Sequence, residues 1–223
     1  MDLFDAYPQL ADRDVTVLRG RSLRLIALAG IVYDDEAFYF ELGQQRHWGR
    51  LPSGEAAIGV GTPTVYPEGI APLHHTLIRH VRKSWRCQVE LYPAGHSYLV
   101  TEVGEVDVLT DVEAHVPYIL VFTPPRLGGA EVPDALVQAV YLLPVKNPSV
   151  RAVSPGLLKI ERVALTKFLE PESWLLQDIE QRPWAALYSD RPLPPDARLR
   201  PVLALRGIRR LWEADLLPGV WTT

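Results

Sequence analysis

The stretch AIGVGTPTVYPEGIAPLHHTLIRHVRKSWRCQVEL, residues 57–91, decides the fold. It opens on small residues, passes through a loop containing Pro and Gly, and then takes on helical spacing. Pro72 suits a first helical turn, where a missing N–H costs nothing. At about 100° per residue, Leu73, Leu77, Ile78, Val81 and Trp85 gather on one side of the predicted helix. Arg79, Arg82, Lys83 and Arg86 gather on the other, and no Asp or Glu lies between Ala71 and Val89 to neutralise them. The helix therefore has an apolar face to bury and a cationic face.

Working outward, residues 23–33 are almost continuously apolar, as in a strand covered on both faces. Asp34-Asp35-Glu36 predicts a turn, and Ala37 to Leu42 the returning strand of a hairpin. Gln44 to Gly54 reads as a loop. Beyond the helix, strands are expected at 88–92, 96–103, 115–123 and 136–145, the last ended by Pro144. A short strand is expected at Val15 to Leu18. After residue 146 the character changes. Asn147-Pro148-Ser149 and Ser154-Pro155-Gly156 punctuate the chain. Residues 157–169 and 172–187 then carry helical spacing of apolar residues, and 202–211 fits a short helix or a last strand.

The order of apolar strand, glycine-containing loop, helix with a central arginine, and short strand resembles a Nudix domain. Ile78 to Leu91 lies over the second half of that family's box, with Arg79 on its arginine and Val81 on its aliphatic position. Ile58 to Gly69 resembles its glycine loop, with Gly61 and Thr62 replacing the glycine pair. Five residues lie between Thr62 and Glu68, as the box asks, but ten residues rather than seven separate Glu68 from Arg79. The three glutamates that bind Mg²⁺ in the family fall on His80, Lys83 and Ser84. A hard cation needs oxygen ligands, and lysine repels it. The resemblance implies an α/β class, a Nudix-like α/β/α sandwich with a mixed sheet over residues 20–146. A lead-in precedes it at 1–19, and a mostly helical C-terminal extension follows at 147–223.

For function, the resemblance and the cationic face imply a non-catalytic module for a nucleotide or other phosphorylated ligand, or for a protein partner. The expected ligand-binding residues are Arg79, His80, Arg82, Lys83 and Arg86, because guanidinium and ammonium groups can hold phosphate without a metal. Trp48 is a packing or base-stacking candidate, and Glu68 joins the set from the loop. No catalytic residue, metal ligand or cofactor is expected. One alternative is an atypical Nudix hydrolase of a nucleoside diphosphate derivative, with metal ligands drawn from Glu68, Glu102, Glu105 or Glu113. Another is the sensor domain of a transcriptional regulator.

Composition narrows the partners. With 48% hydrophobic and 22% charged residues the chain falls in the globular class. A net charge of −4 offers no global attraction for nucleic acid. The expected partners are a nucleotide-like small molecule, a protein partner or a second copy. A single cysteine, Cys87, excludes an intramolecular disulfide and reads as a buried thiol. With no signal-peptide pattern and no run of about 18 apolar residues, the expected location is cytoplasmic and not membrane-bound. Six histidines show no metal-ligand spacing. Arg198, Arg200, Arg206, Arg209 and Arg210 form a second basic cluster, for which a surface or protein-contact role is expected.

Overall fold

Strand β1 (Leu23–Tyr33) and strand β10 (Ala135–Lys146) run side by side in parallel and form the spine of the molecule. The computed structural model describes all residues except 69–71, 114, 126–131, 151–152, 154, 219–220 and 222–223. Between the two spine strands come β2 (Ala37–Leu42), β3 (Gly49–Arg50), β4 (Ala56–Gly61), β5 (Thr64–Val65), β6 (Gln88–Val89), β7 (His96–Thr101), β8 (Val106–Thr110) and β9 (Ile119–Thr123). After the spine follow β11 (Gly156–Glu161), β12 (Trp174–Leu175), β13 (Ala185–Ser189) and β14 (Arg198–Pro201). The helices are α1 (Leu3–Ala6), α2 (Leu73–Trp85), α3 (Leu165–Leu169), α4 (Leu176–Glu180) and α5 (Ala204–Glu213).

The fold is α/β around one large mixed sheet, ordered β12-β14-β4-β2-β1-β10-β9-β7-β8, with β11 on the other flank of β2 and β13 beyond it. Alternate residues of the spine enter two separate cores. Leu25, Leu28 and Val32 of β1, with Val137, Ala139, Tyr141 and Leu143 of β10, meet Leu73, Leu77, Val81 and Trp85 of α2. Ala29, Ile31, Val140 and Leu142 meet Phe168, Ile179, Leu205, Ile208 and Leu211 of α3, α4 and α5 on the opposite face. Covering on both sides explains why the spine sequences are apolar throughout rather than alternating.

The β1–β2 turn is held by one side chain. Asp34 Oδ1 accepts from the Glu36 and Ala37 amides at 2.9 Å each, and Oδ2 accepts from the Tyr39 hydroxyl at 2.6 Å. At the N-terminus, Asp2 caps α1 by accepting from Phe4 N–H at 2.8 Å. The lead-in then packs inward through Leu3, Tyr7 and Leu10, with the Tyr7 and Tyr141 hydroxyls 2.5 Å apart.

Four local expectations are corrected. Val15 to Leu18 is not a strand but a turn closed by hydrogen bonds from the Leu18 and Arg19 amides to the Val15 carbonyl. Pro144 does not end β10. Strand β9 pairs only as far as Val140, and beyond it the Pro144 carbonyl needs only to accept, from Glu90 N–H. Residues 157–169 are helical only in their second half, because Gly156–Glu161 is clamped between β2 and β13. Residues 172–187 give β12, α4 and β13 rather than one helix. The segment expected as a mostly helical extension thus supplies four strands. Two of them, β11 and β14, hydrogen-bond directly to β2 and β4.

Candidate functional site

Helix α2 forms at the predicted residues, with Pro72 as N-cap and Arg86 ending it in the left-handed conformation at φ 49°. Its cationic face exists as read: Arg79, Arg82, Lys83 and Arg86 are all exposed. Among the described residues none of the four has a carboxylate partner; Arg82 reaches only the Val89 carbonyl, at 3.5 Å. His80 is half-buried, and burial lowers its pKa. The remaining expected ligand residues do not join this face. Trp48 packs against the core on the opposite side of the sheet and donates its Nε1–H to the Gly43 carbonyl at 2.7 Å. Glu68 is exposed on the loop ahead of the helix. No three His, Cys, Asp or Glu side chains among the described residues gather closely enough to hold a metal ion. Cys87 is buried, and burial raises its pKa.

A concave site is built elsewhere, by the second basic cluster. The strand order places β4 and β9 on either side of the spine, yet α5 touches both, so the sheet curls around that helix. Gly207 lets α5 come this close: a Cβ there would lie 2.8 Å from Val121 Cγ2 of β9. Between α5, the end of β14 and the ends of β7 and β9 lies a cleft of about 340 Å³. Val100 and Val121 form its floor, and Arg200, Arg206, Arg209 and Arg210 form its walls, with Glu102, Glu172 and Glu213 among them.

Two of these arginines are already committed. Glu213 accepts from Arg209 Nε at 3.0 Å and from an Arg210 terminal nitrogen at 2.6 Å. Partial burial opposes its ionisation, but the hydrogen bonds from Arg210 and Arg209 outweigh burial and hold its carboxyl below the usual range. Arg210 lies against the β7–β8 turn, where Gly104 takes φ +92°. The other two guanidinium groups have no carboxylate partner among the described residues. Arg206 uses Nε on the Pro201 carbonyl at 3.4 Å, and Arg200 has no partner there. The cleft has the size of a small-molecule site, but its lining is mostly polar and charged, which suits a charged ligand better than an apolar one.

The sequence signalled the arginines but not the cleft, since its walls come from residues 100–123, 172 and 200–213 and meet only through the curl of the sheet. Comparison with protein-family models, with curated proteins and with solved structures finds no match for this chain.

Proposed function

We propose that the protein is a non-catalytic binding module for a phosphate-bearing small molecule, held in the cleft beside α5 rather than on α2. The observation that carries this reading is the convergence of four guanidinium groups from β14 and α5, two of them without carboxylate partners. Planar guanidinium forks bind phosphate oxygens in pairs, and the charge-assisted bonds are about twice as strong as neutral ones. Glu102 and Glu172 would repel a bare anion but accept from hydroxyl or amine groups. The ligand class favoured is therefore a sugar phosphate or nucleotide, phosphate toward Arg200 and Arg206, hydroxyls toward the carboxylates. We further propose, from the sequence resemblance alone, a Nudix-like ancestry in which His80, Lys83 and Ser84 stand at the positions of the metal-binding carboxylates.

Ligand binding stabilises the native state by mass action, by about 2.7 kcal/mol at a hundred times Kd. A thermal-shift panel of inorganic phosphate, pyrophosphate, sugar phosphates and nucleoside phosphates should contain compounds that raise Tm by several degrees. Arg200→Ala and Arg206→Ala should each abolish the shift, while Lys83→Glu should leave it intact. A shift lost in Lys83→Glu and kept in Arg206→Ala would return the site to α2, and no shift across the panel would sink the reading.

A further inference from the structure

A stretch without acids and a stretch without Lys or Arg adjoin in this chain. From Ala71 to Val89 there is no acid, and from Cys87 to Pro125 there is no Lys or Arg. Within the second stretch the β7–β8 hairpin and the turn after it carry Glu105, Asp107 and Asp111, all exposed. None of these three carboxylates is in an ion pair among the described residues, and neither is any of the four cations on α2. Arg210 lies against the hairpin turn at Gly104 and Arg13 donates to the Asp111 carbonyl at 3.0 Å, but neither forms an ion pair with these three carboxylates.

We propose that the cationic face of α2 docks on the acidic β7–β8 hairpin of a second copy of this chain. The spacings match. Arg79 and Lys83 lie about 6 Å apart along the helix axis at 1.5 Å per residue. Glu105 and Asp107 lie about 7 Å apart along the strand at 3.4 Å per residue. Among the described residues strand β8 pairs only with β7, so its outer edge has no strand partner there. A row of carboxylates on an open edge blocks pairing with an identical edge and leaves a cationic surface as its complement. Val103, 80% exposed in the turn between β7 and β8, adds apolar surface near the charges. Nucleic acid is the weaker occupant for α2, because its one large aromatic, Trp85, is buried and offers no ring for base stacking.

The contact joins different patches on the two copies, so each copy retains one free patch of each kind. Such a head-to-tail contact grows into a ring if its rotation closes and into a chain if it does not. The hairpin borders the α5 cleft through Thr101 and Glu102, but Arg79, Lys83, Glu105 and Asp107 are not among the cleft's lining residues, so the test is separate from that of the ligand reading.

Sedimentation velocity across a range of protein concentrations tests the proposal at about 0.01 M and about 1 M salt, between which the Debye length falls from roughly 30 to 3 Å. At low salt the mass should rise above the 25.0 kDa of one chain as concentration increases, and at high salt it should return to one chain. Arg79→Glu with Lys83→Glu should be monomeric at low salt, and so, independently, should Glu105→Lys with Asp107→Lys. Combining all four substitutions in one chain exchanges the signs and should restore association. A single-chain mass at every low-salt concentration overturns the proposal, as does association that survives both reversals or fails to return in the combined variant. Duplex DNA retarded by the unmodified monomer and not by the α2 variant overturns it in favour of nucleic acid.

Discussion

Glu41 shows how one residue can tie stability to pH. It lies on the α2 face of β2 and accepts from Trp85 Nε1 at 2.9 Å, under the last turn of the helix. Burial pushes its carboxyl pKa above the ordinary value of 4.5, and the bond from Trp85 offsets this only in part. The folded state therefore holds this proton more tightly than the unfolded chain. Its contribution is complete below the unfolded value and is lost as pH rises through the raised folded value. Glu41→Gln keeps an acceptor for Trp85 without a charge to bury. It should raise Tm at pH 8, leave Tm near pH 4 almost unchanged, and flatten the decline between them in thermal melts. An unchanged slope would mean that the carboxyl is solvated in the native state.

At the scale of the element, α2 separates stability from recognition by face. Leu77 is fully buried against β1 and β10, whereas Lys83 is exposed with no partner among the described residues. Leu77→Ala removes core contacts and leaves a cavity, so it should cost about 2–5 kcal/mol in denaturant unfolding. Lys83→Glu loses only a favourable charge near the helix C-terminus, about 0.3–1 kcal/mol. Equal losses in the two variants would show that the cationic face is part of the packing. The helix was readable because its apolar residues repeat at helical spacing over thirteen residues. Strand β11 was not, because Leu157, Leu158 and Ile160 fit a helix stripe as well as a buried strand. Only the clamping of β11 between β2 and β13 decides for the strand.

Across the whole molecule, the residues after 146 complete the sheet and fill one of its two faces. Strands β11 and β14 occupy flanks of β2 and β4, and α3, α4 and α5 supply Phe168, Leu176, Ile179, Leu205, Ile208 and Leu211 to the core opposite α2. A chain cut after Lys146 would expose both strand edges and leave Ala29, Ile31, Phe38, Phe40 and Val140 uncovered. It should lack a cooperative thermal transition by circular dichroism and should aggregate through those edges. A cooperative melt in the 1–146 fragment would show that the first part is an independent unit.

Local pattern alone determined β1 and β2 at their observed bounds, as apolar runs on either side of an acidic turn, and α2 by the helical spacing of its apolar residues. It also determined the cationic face, since charges on an exposed helix face need no tertiary partner to be placed. The joining of β11 and β14 to the sheet, the turn at Val15 and the passage of β10 through Pro144 depend on which neighbours lie alongside. The arginine cleft belongs to this second group. Arg200 and Arg206 are close in sequence, but the floor beneath them is made by β7 and β9, brought there by the curl of the sheet around α5. Pairing and curvature are long-range, and a periodicity of two or of 3.6 carries no record of either.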